Sequence, residues 1–170
     1  VMSLFALVLG ELYIVARGGL WLSPAAMLTV VGLILLSALC NTALVSFVIS
    51  FFKSQNAFST ASSLLGTLVG FLTGIYMPVG MMPDAVQVLI KVFPVSHAAL
   101  LLRQTIMAVP LTQTFAGAPE AMRQSFESEM GIVFQWGGSP MSAATSLGIL
   151  IGASLLFYGL SILQFSRKSR

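Results

Sequence analysis

Charge is what this chain lacks most. Lysine, arginine, aspartate and glutamate make up 8% of its 170 residues, against 57% hydrophobic residues, where soluble domains carry about a quarter charged residues. So little charge cannot cover a water-facing surface, which excludes a soluble domain and leaves an integral membrane protein. Cysteine is scarcer still. Cys40 is alone, inside an apolar run, so an intrachain disulfide is excluded and a small packing role is expected. A single histidine, His97, cannot supply the paired histidines of an HExxH zinc protease. Neither a GxSxG nucleophile turn nor a glycine-rich loop ending in Lys-Ser or Lys-Thr occurs, so the chain is not expected to be an enzyme or to grip ATP phosphates itself. Ser96 beside His97 reads as a structural pair at a proline bend, not as a catalytic dyad. The net charge of +3, partly from the tail SRKSR (Ser166 to Arg170), falls short of the dense basic face that nucleic acid requires.

Long apolar runs are what remains. A bilayer-crossing helix needs about 20 such residues, and four stretches qualify or begin to: 1–16, 25–52, 60–77 and 143–165. The first opens apolar with no basic leader and no small-residue cleavage site. It therefore reads as a truncated span in the C-terminal part of a larger protein, not as a signal peptide. Ser23-Pro24 suits the start of the second, with serine as cap and proline at the first helical position. KSQNAFS (53–59) is the short polar break before the third. The expected fold is thus an all-α membrane protein with four transmembrane helices, the first truncated.

GMMPDAVQVLIKVFPVSHAALLLRQ, from Gly80 to Gln104, does not fit a simple span. Pro83 and Pro94 break a continuous helix, and the nine residues between them are too short to cross. Two short helices about a proline bend, over 83–109, suit a re-entrant hairpin; the alternative is a helix over 86–109 lying flat on the membrane. An external loop over 110–142 follows. Within it Met122, Phe126 and Met130 recur at helical spacing after Pro119, as in an amphipathic surface helix. If the hairpin does not cross, Lys53, Arg167, Lys168 and Arg170 share one face with no acid. Arg17, Lys91, Arg103 and Arg123 balance Asp84, Glu120, Glu127 and Glu129 on the other. Excess cation marks the cytoplasmic face, which puts the C-terminus inside and the hairpin outside.

Within the spans, Gly66, Gly70 and Gly74 recur every fourth residue, and Gly148 and Gly152 repeat the step once. That spacing lets another helix approach closely. Glu11 lies about 9 Å below the Arg17 boundary at helical rise. It is read either as a polar group on a transport path or as a carboxylate paired with a neighbour. Asn41, Thr42 and Ser46 form a polar cluster suited to interhelical hydrogen bonds.

The run MPVGMMPDAVQVLIKVFPVSHAALLLRQ resembles the signature of type-2 ATP-binding-cassette (ABC) permeases, the membrane subunits of bacterial exporters. Gly66 to Gly74 match that family's glycine-rich fifth span, Pro78 and Pro83 its two prolines, FPVSHA with Pro94 and His97 its bend, and Arg103 its following arginine. Phe93 stands where asparagine is usual, and His97 where tyrosine is. The resemblance covers essentially the whole chain, as the third to sixth of six spans with the hairpin outside between the last two. It implies a multi-pass permease of the bacterial cell (inner) membrane. Such a permease exports a hydrophobic or amphipathic substrate such as a drug, lipid or glycan, as multidrug exporters do. It further implies a second permease copy, identical or not, surrounding membrane lipids, and a separate ABC ATP-binding subunit that binds ATP and Mg. Lys53, Ser54, Gln55 and Asn56 would be a secondary contact with that ATPase, and Glu11, Asn41, Gly66, Gly70 and Gly74 would lie near helix interfaces or the path. The reading from a different class is a secondary transporter or channel with a proline-containing pore hairpin.

Overall fold

The computed structural model, which describes residues 2–52 and 54–168, is helical almost throughout. Seven α-helices occur among the described residues: α1 (Met2–Ala16), α2 (Pro24–Ile49), α3 (Gln55–Leu72), α4 (Asp84–Val92), α5 (Pro94–Thr114), α6 (Glu120–Glu129) and α7 (Ala143–Lys168). A single turn of tighter helix, Val79–Met81, precedes α4, and the two-residue strands β1 (Gln135–Trp136) and β2 (Ser139–Pro140) form a small antiparallel ribbon before α7.

Local chemistry sets the boundaries. Ser23 accepts the Ala26 N–H at 3.2 Å with Pro24 at the first helical position, and Ser54 accepts the Ala57 N–H at 3.3 Å. Each serine satisfies one of the N–H groups orphaned at a helix start. The Ser54 cap explains why α3 starts at Gln55, not near residue 60. It also ends early, at Leu72 and not at Met77. Gly74 takes φ +70°, the Ile75 N–H returns to the Gly70 carbonyl at 3.0 Å and the Gly74 N–H to that of Phe71 at 2.9 Å, the paired bonds of a Schellman stop. The second helix likewise ends at Ile49, three residues short of the expected 52.

Pro24–Ile49 and Ala143–Gln164 are long and apolar enough to cross a membrane, and the pair α4–α5 makes a third if taken as one span. Length and composition therefore support two to three spans. The sequence pattern counted four because it included α1, which has 15 residues, and α3, whose first turns are the polar QNAFSTASS.

The proline bend is real, but its second limb is not short. α4 and α5 meet at 87° across Phe93. A single flat helix over 86–109 is thereby excluded. α5 runs on through Pro110 to Thr114, 21 residues, or about 31 Å at helical rise, not ending at 109. Its first turns are the most buried stretch among the described residues, with Val95, Ser96, His97, Ala98, Leu100 and Leu101 all enclosed.

α2, α5 and α7 pack against one another as the core, around Leu33, Cys40, Leu100, Leu101 and Leu150. Cys40 on α2 lies beside Ser154 on α7, both buried, and ten residues further along both helices Ser50 Oγ bonds Gln164 Oε1 at 2.7 Å. Between these two contacts the Phe47 and Phe157 rings lie 5.6 Å apart. Equal steps on both helices mean that α2 and α7 run parallel, with their C-terminal ends together. Ser146, Ser154 and Ser161 are the buried small residues of α7, spaced every second turn on one face. A Cβ at Gly148 or Gly152 would meet nothing within 4 Å. The close approach on α7 is therefore made by serines, not by the glycine pair.

Candidate functional site

Four polar side chains of α5 reach out of the helix to other segments: Ser96, His97, Arg103 and Gln104. Their spacing of i, i+1, i+7 and i+8 places them on one helix face, two turns apart. Each is spent on a main-chain carbonyl outside α5. Ser96 Oγ donates to the Leu72 carbonyl at 2.7 Å, and Arg103 Nη2 donates to those of Thr73 and Gly74 at 2.8 and 3.0 Å. The carbonyls that α3 leaves unpaired at its end are thus taken by α5. The cation also sits at the negative end of the α3 dipole.

His97 does for α4 what Ser96 and Arg103 do for α3. Its Nε2 lies 2.9 Å from the Lys91 carbonyl, in the last turn of α4. A carbonyl only accepts, so Nε2 carries the hydrogen. Nδ1 is buried without a partner, and the ring stands edge-on to Phe134 with centroids 5.6 Å apart. Gln104 Nε2 completes the face by donating to the Ile132 carbonyl at 2.8 Å, just past α6.

Glycine makes room for the guanidinium. A Cβ at Gly74 would lie 3.4 Å from Arg103 Nη2, and one at Gly131 would lie 3.3 Å from Nη1 and 2.7 Å from Val79 Cγ2. Gly131 ends α6 at φ +66°, with the Ile132 N–H returning to the Glu127 carbonyl at 2.9 Å. The ends of α3 and α6 therefore meet across Arg103, beside the segment that leads through the ribbon into α7. On the half-buried side of α6, Glu127 accepts from Arg123 Nε at 2.8 Å. That hydrogen bond and its charge hold the guanidinium proton still more firmly.

The expected site residues divide into those gathered here and those elsewhere. Pro78 caps the tight turn, Pro83 caps α4 and Pro94 opens α5, so all three prolines with His97, Arg103 and Gly74 belong to this junction. Gly70 is covered by the Tyr76 ring of its own chain. Gly66 and Asn41 instead line a groove of about 330 Å³ between α2 and α3, with Leu44, Val48, Phe58 and Leu65. Nothing lies within 4 Å of a Cβ at Gly66. Within this chain the three glycines thus have three different surroundings and form no common helix contact. Glu11 is apart from all of them: it is buried, and its Oε2 accepts the Leu22 N–H at 3.0 Å, tying α1 to the lead-in of α2. Ser54, Gln55 and Asn56 form the exposed start of α3. Lys53 lies outside the described residues. Gln104 and Gly131 were not singled out from the sequence; the i, i+1, i+7, i+8 recurrence of polar residues on an apolar helix was the signal for the first.

Chemically, the arrangement holds helix ends. Among the described residues it brings no acid to its cation and no nucleophile to its histidine, whose Nε2 is committed to a carbonyl. Among the described residues no three His, Cys, Asp or Glu side chains come together. Comparison with protein-family models, with curated proteins and with solved structures finds no match to this chain.

Proposed function

We propose that the chain forms part of the membrane-spanning permease of an ATP-driven exporter of the type-2 ABC class. It would move a hydrophobic or amphipathic substrate out of the cytoplasm, with ATP and Mg bound by a separate subunit. One observation carries the reading: Pro78, Pro83, Pro94, His97 and Arg103, the residues that carry the resemblance, all stand at the junction of α3, α4 and α5, where Arg103 holds the end of α3, His97 holds the end of α4 and the prolines set the starts of the turn and the two helices. A sharply bent helix pair fastened by its polar face to the end of a span is what a re-entrant element needs, since backbone at membrane depth is tolerated only when packed against protein or lining a wet cavity.

The helix directions support the same topology. Parallel α2 and α7 require an odd number of crossings between them. Either α3 or the α4–α5 pair crosses, then, but not both. Residues of α3 from Phe58 to Val69 share a groove with α2 from Asn41 to Ile49, and the far end of α3 meets the lead-in to α7 across Arg103. This favours α3 as the returning span and α4–α5 as the hairpin, with the ends of α2 and α7 on the cytoplasmic face. Transport then works by population shift, nucleotide favouring one arrangement of the spans over another.

Co-purification of the full-length protein with a candidate ATPase subunit, followed by ATP hydrolysis in lipid with and without the permease, tests the proposal. Stable association with permease-dependent hydrolysis is expected. A folded permease that associates with no ATPase, and transports only down an ion gradient, overturns it in favour of a secondary transporter.

A further inference from the structure

A groove of about 720 Å³ lies where α4 ends beside the ribbon and the first turns of α7, with Lys91, Val92, Trp136, Met141, Thr145 and Ile149 along its walls. Its walls are largely apolar, and its one charge is a cation. Lys91 makes no side-chain hydrogen bond or ion pair among the described residues. Asp84, the acid of its own helix, stands seven residues back, about 10 Å along the axis. The first turn of α7 carries no acid either. The groove therefore holds an uncompensated positive charge at the point where a candidate span begins.

Below it the apolar surface continues. Thr145, Ile149, Gly152 and Leu156 follow one face of α7 at steps of four, three and four residues, a run of about 16 Å. Gly152 and Leu156 are exposed, and a Cβ at Gly152 would meet nothing within 4 Å. An exposed apolar strip, notched at Gly152, thus leads from the charged groove down the span. At the top stands Trp136, 53% exposed, the side chain that favours the boundary between hydrocarbon and water.

We propose that this groove and the strip below it bind a phospholipid with an anionic headgroup. The headgroup sits against Lys91 beside Trp136, and an acyl chain lies along Ile149, Gly152 and Leu156. Charge complementarity selects the occupant: one unpaired cation at the boundary with an apolar track beneath it matches an anionic lipid, whereas a zwitterionic lipid brings its own cation to the same place.

The test uses the full-length protein in detergent, titrated separately with dibrominated phosphatidylglycerol and dibrominated phosphatidylcholine, which quench nearby indoles. The part of the quenching that vanishes in Trp136→Phe reports the groove. Half-quenching is expected at about five-fold lower phosphatidylglycerol than phosphatidylcholine, as one lysine near an anionic headgroup provides. Lys91→Ala removes the preference and Lys91→Arg keeps it. Gly152→Leu fills the notch at a position where a Cβ meets nothing, so the fold persists and quenching by both lipids weakens. Equal quenching by the two lipids in the parent protein overturns the proposal, as does a preference that survives Lys91→Ala. A Trp136 quenched by neither lipid means that protein occupies the groove, and overturns it too. Unchanged quenching in Gly152→Leu overturns the acyl path.

Discussion

The guanidinium of Arg103 reaches the carbonyl oxygen of Thr73 at 2.8 Å, across thirty residues of sequence, and the next carbonyl, that of Gly74, at 3.0 Å. This is a charged donor on the central helix closing the end of another helix. Removing it leaves two carbonyls half-buried without a donor. Arg103→Ala is expected to destabilise the protein by about 3 kcal/mol, since hydrogen bonds to charged groups each contribute roughly 1.5–3 kcal/mol. Arg103→Lys, a point donor without the fork, should recover part of the loss. Unfolding monitored by circular dichroism in detergent checks both. Parent-like unfolding of Arg103→Ala would mean that the bonds contribute nothing.

The glycines of α3 should separate cleanly. Gly74 sits at φ +70° with Val79 Cγ2 only 2.9 Å from where a Cβ would stand. Left-handed backbone alone costs an ordinary residue about 1–2 kcal/mol, so Gly74→Ala should lower stability by at least that much. Gly66 lies in helix with open space around it, and replacing a helical glycine by alanine gains about 1 kcal/mol. Gly66→Ala should therefore be neutral or stabilising for folding. If it also abolishes transport, a partner helix sits on that face in the assembled protein. Thermal unfolding of the two variants side by side decides the first part, and a Gly66→Ala that unfolds as early as Gly74→Ala contradicts it.

Much of this was legible in the sequence, for identifiable reasons. The Ser23-Pro24 start, the break at Pro94 and the surface helix from Glu120 follow from side-chain chemistry within a few residues, and the pattern contained it. The limits of α3 were misplaced because hydropathy marks where apolar residues lie, whereas Ser54 and Gly74 decide where the helix starts and stops. The α5 clamp was hidden for a different reason. Ser96 and Arg103 act on carbonyls of residues 72 to 74, and a carbonyl leaves no trace in the sequence. Gly148 and Gly152 carried the expected spacing yet face away from the core, because spacing names a face without naming what lies against it.

Glu11 offers a test between a structural and a transport role. Its carboxylate is 3% exposed and accepts the Leu22 N–H at 3.0 Å. An amide oxygen accepts as a carboxylate does, so Glu11→Gln keeps the bond while removing the charge. Glu11→Leu removes both, leaving the Leu22 N–H unpaired at a cost of about 1–3 kcal/mol. A structural carboxylate predicts near-parent stability and transport for Glu11→Gln and a clear loss of stability for Glu11→Leu. Transport lost in Glu11→Gln while the protein remains folded would instead place the charge on the substrate path.

The last prediction concerns sidedness, which the contacts of α2 with α7 constrain. Ser50 meets Gln164 at 2.7 Å and Cys40 meets Ser154, so the chain just after α2 and the end of α7 emerge on one face. In a cysteine-free background, single cysteines at Ser54 and Ser166 should react with a membrane-impermeant maleimide from the same side of sealed vesicles. A cysteine at Ser125, on α6 before α7 begins, should react from the opposite side. Met81, 69% exposed between α3 and α4, discriminates the two remaining topologies. If α3 crosses and α4–α5 re-enters, Met81→Cys labels with Ser125→Cys; if the bent pair is the crossing, it labels with Ser54→Cys. The fastening of α3 to α5 by Arg103, beside Gly131 and the lead-in to α7, predicts the first result. Labelling of Met81→Cys from the Ser54 side would turn the hairpin into a span and remove the main structural support for a permease of this class.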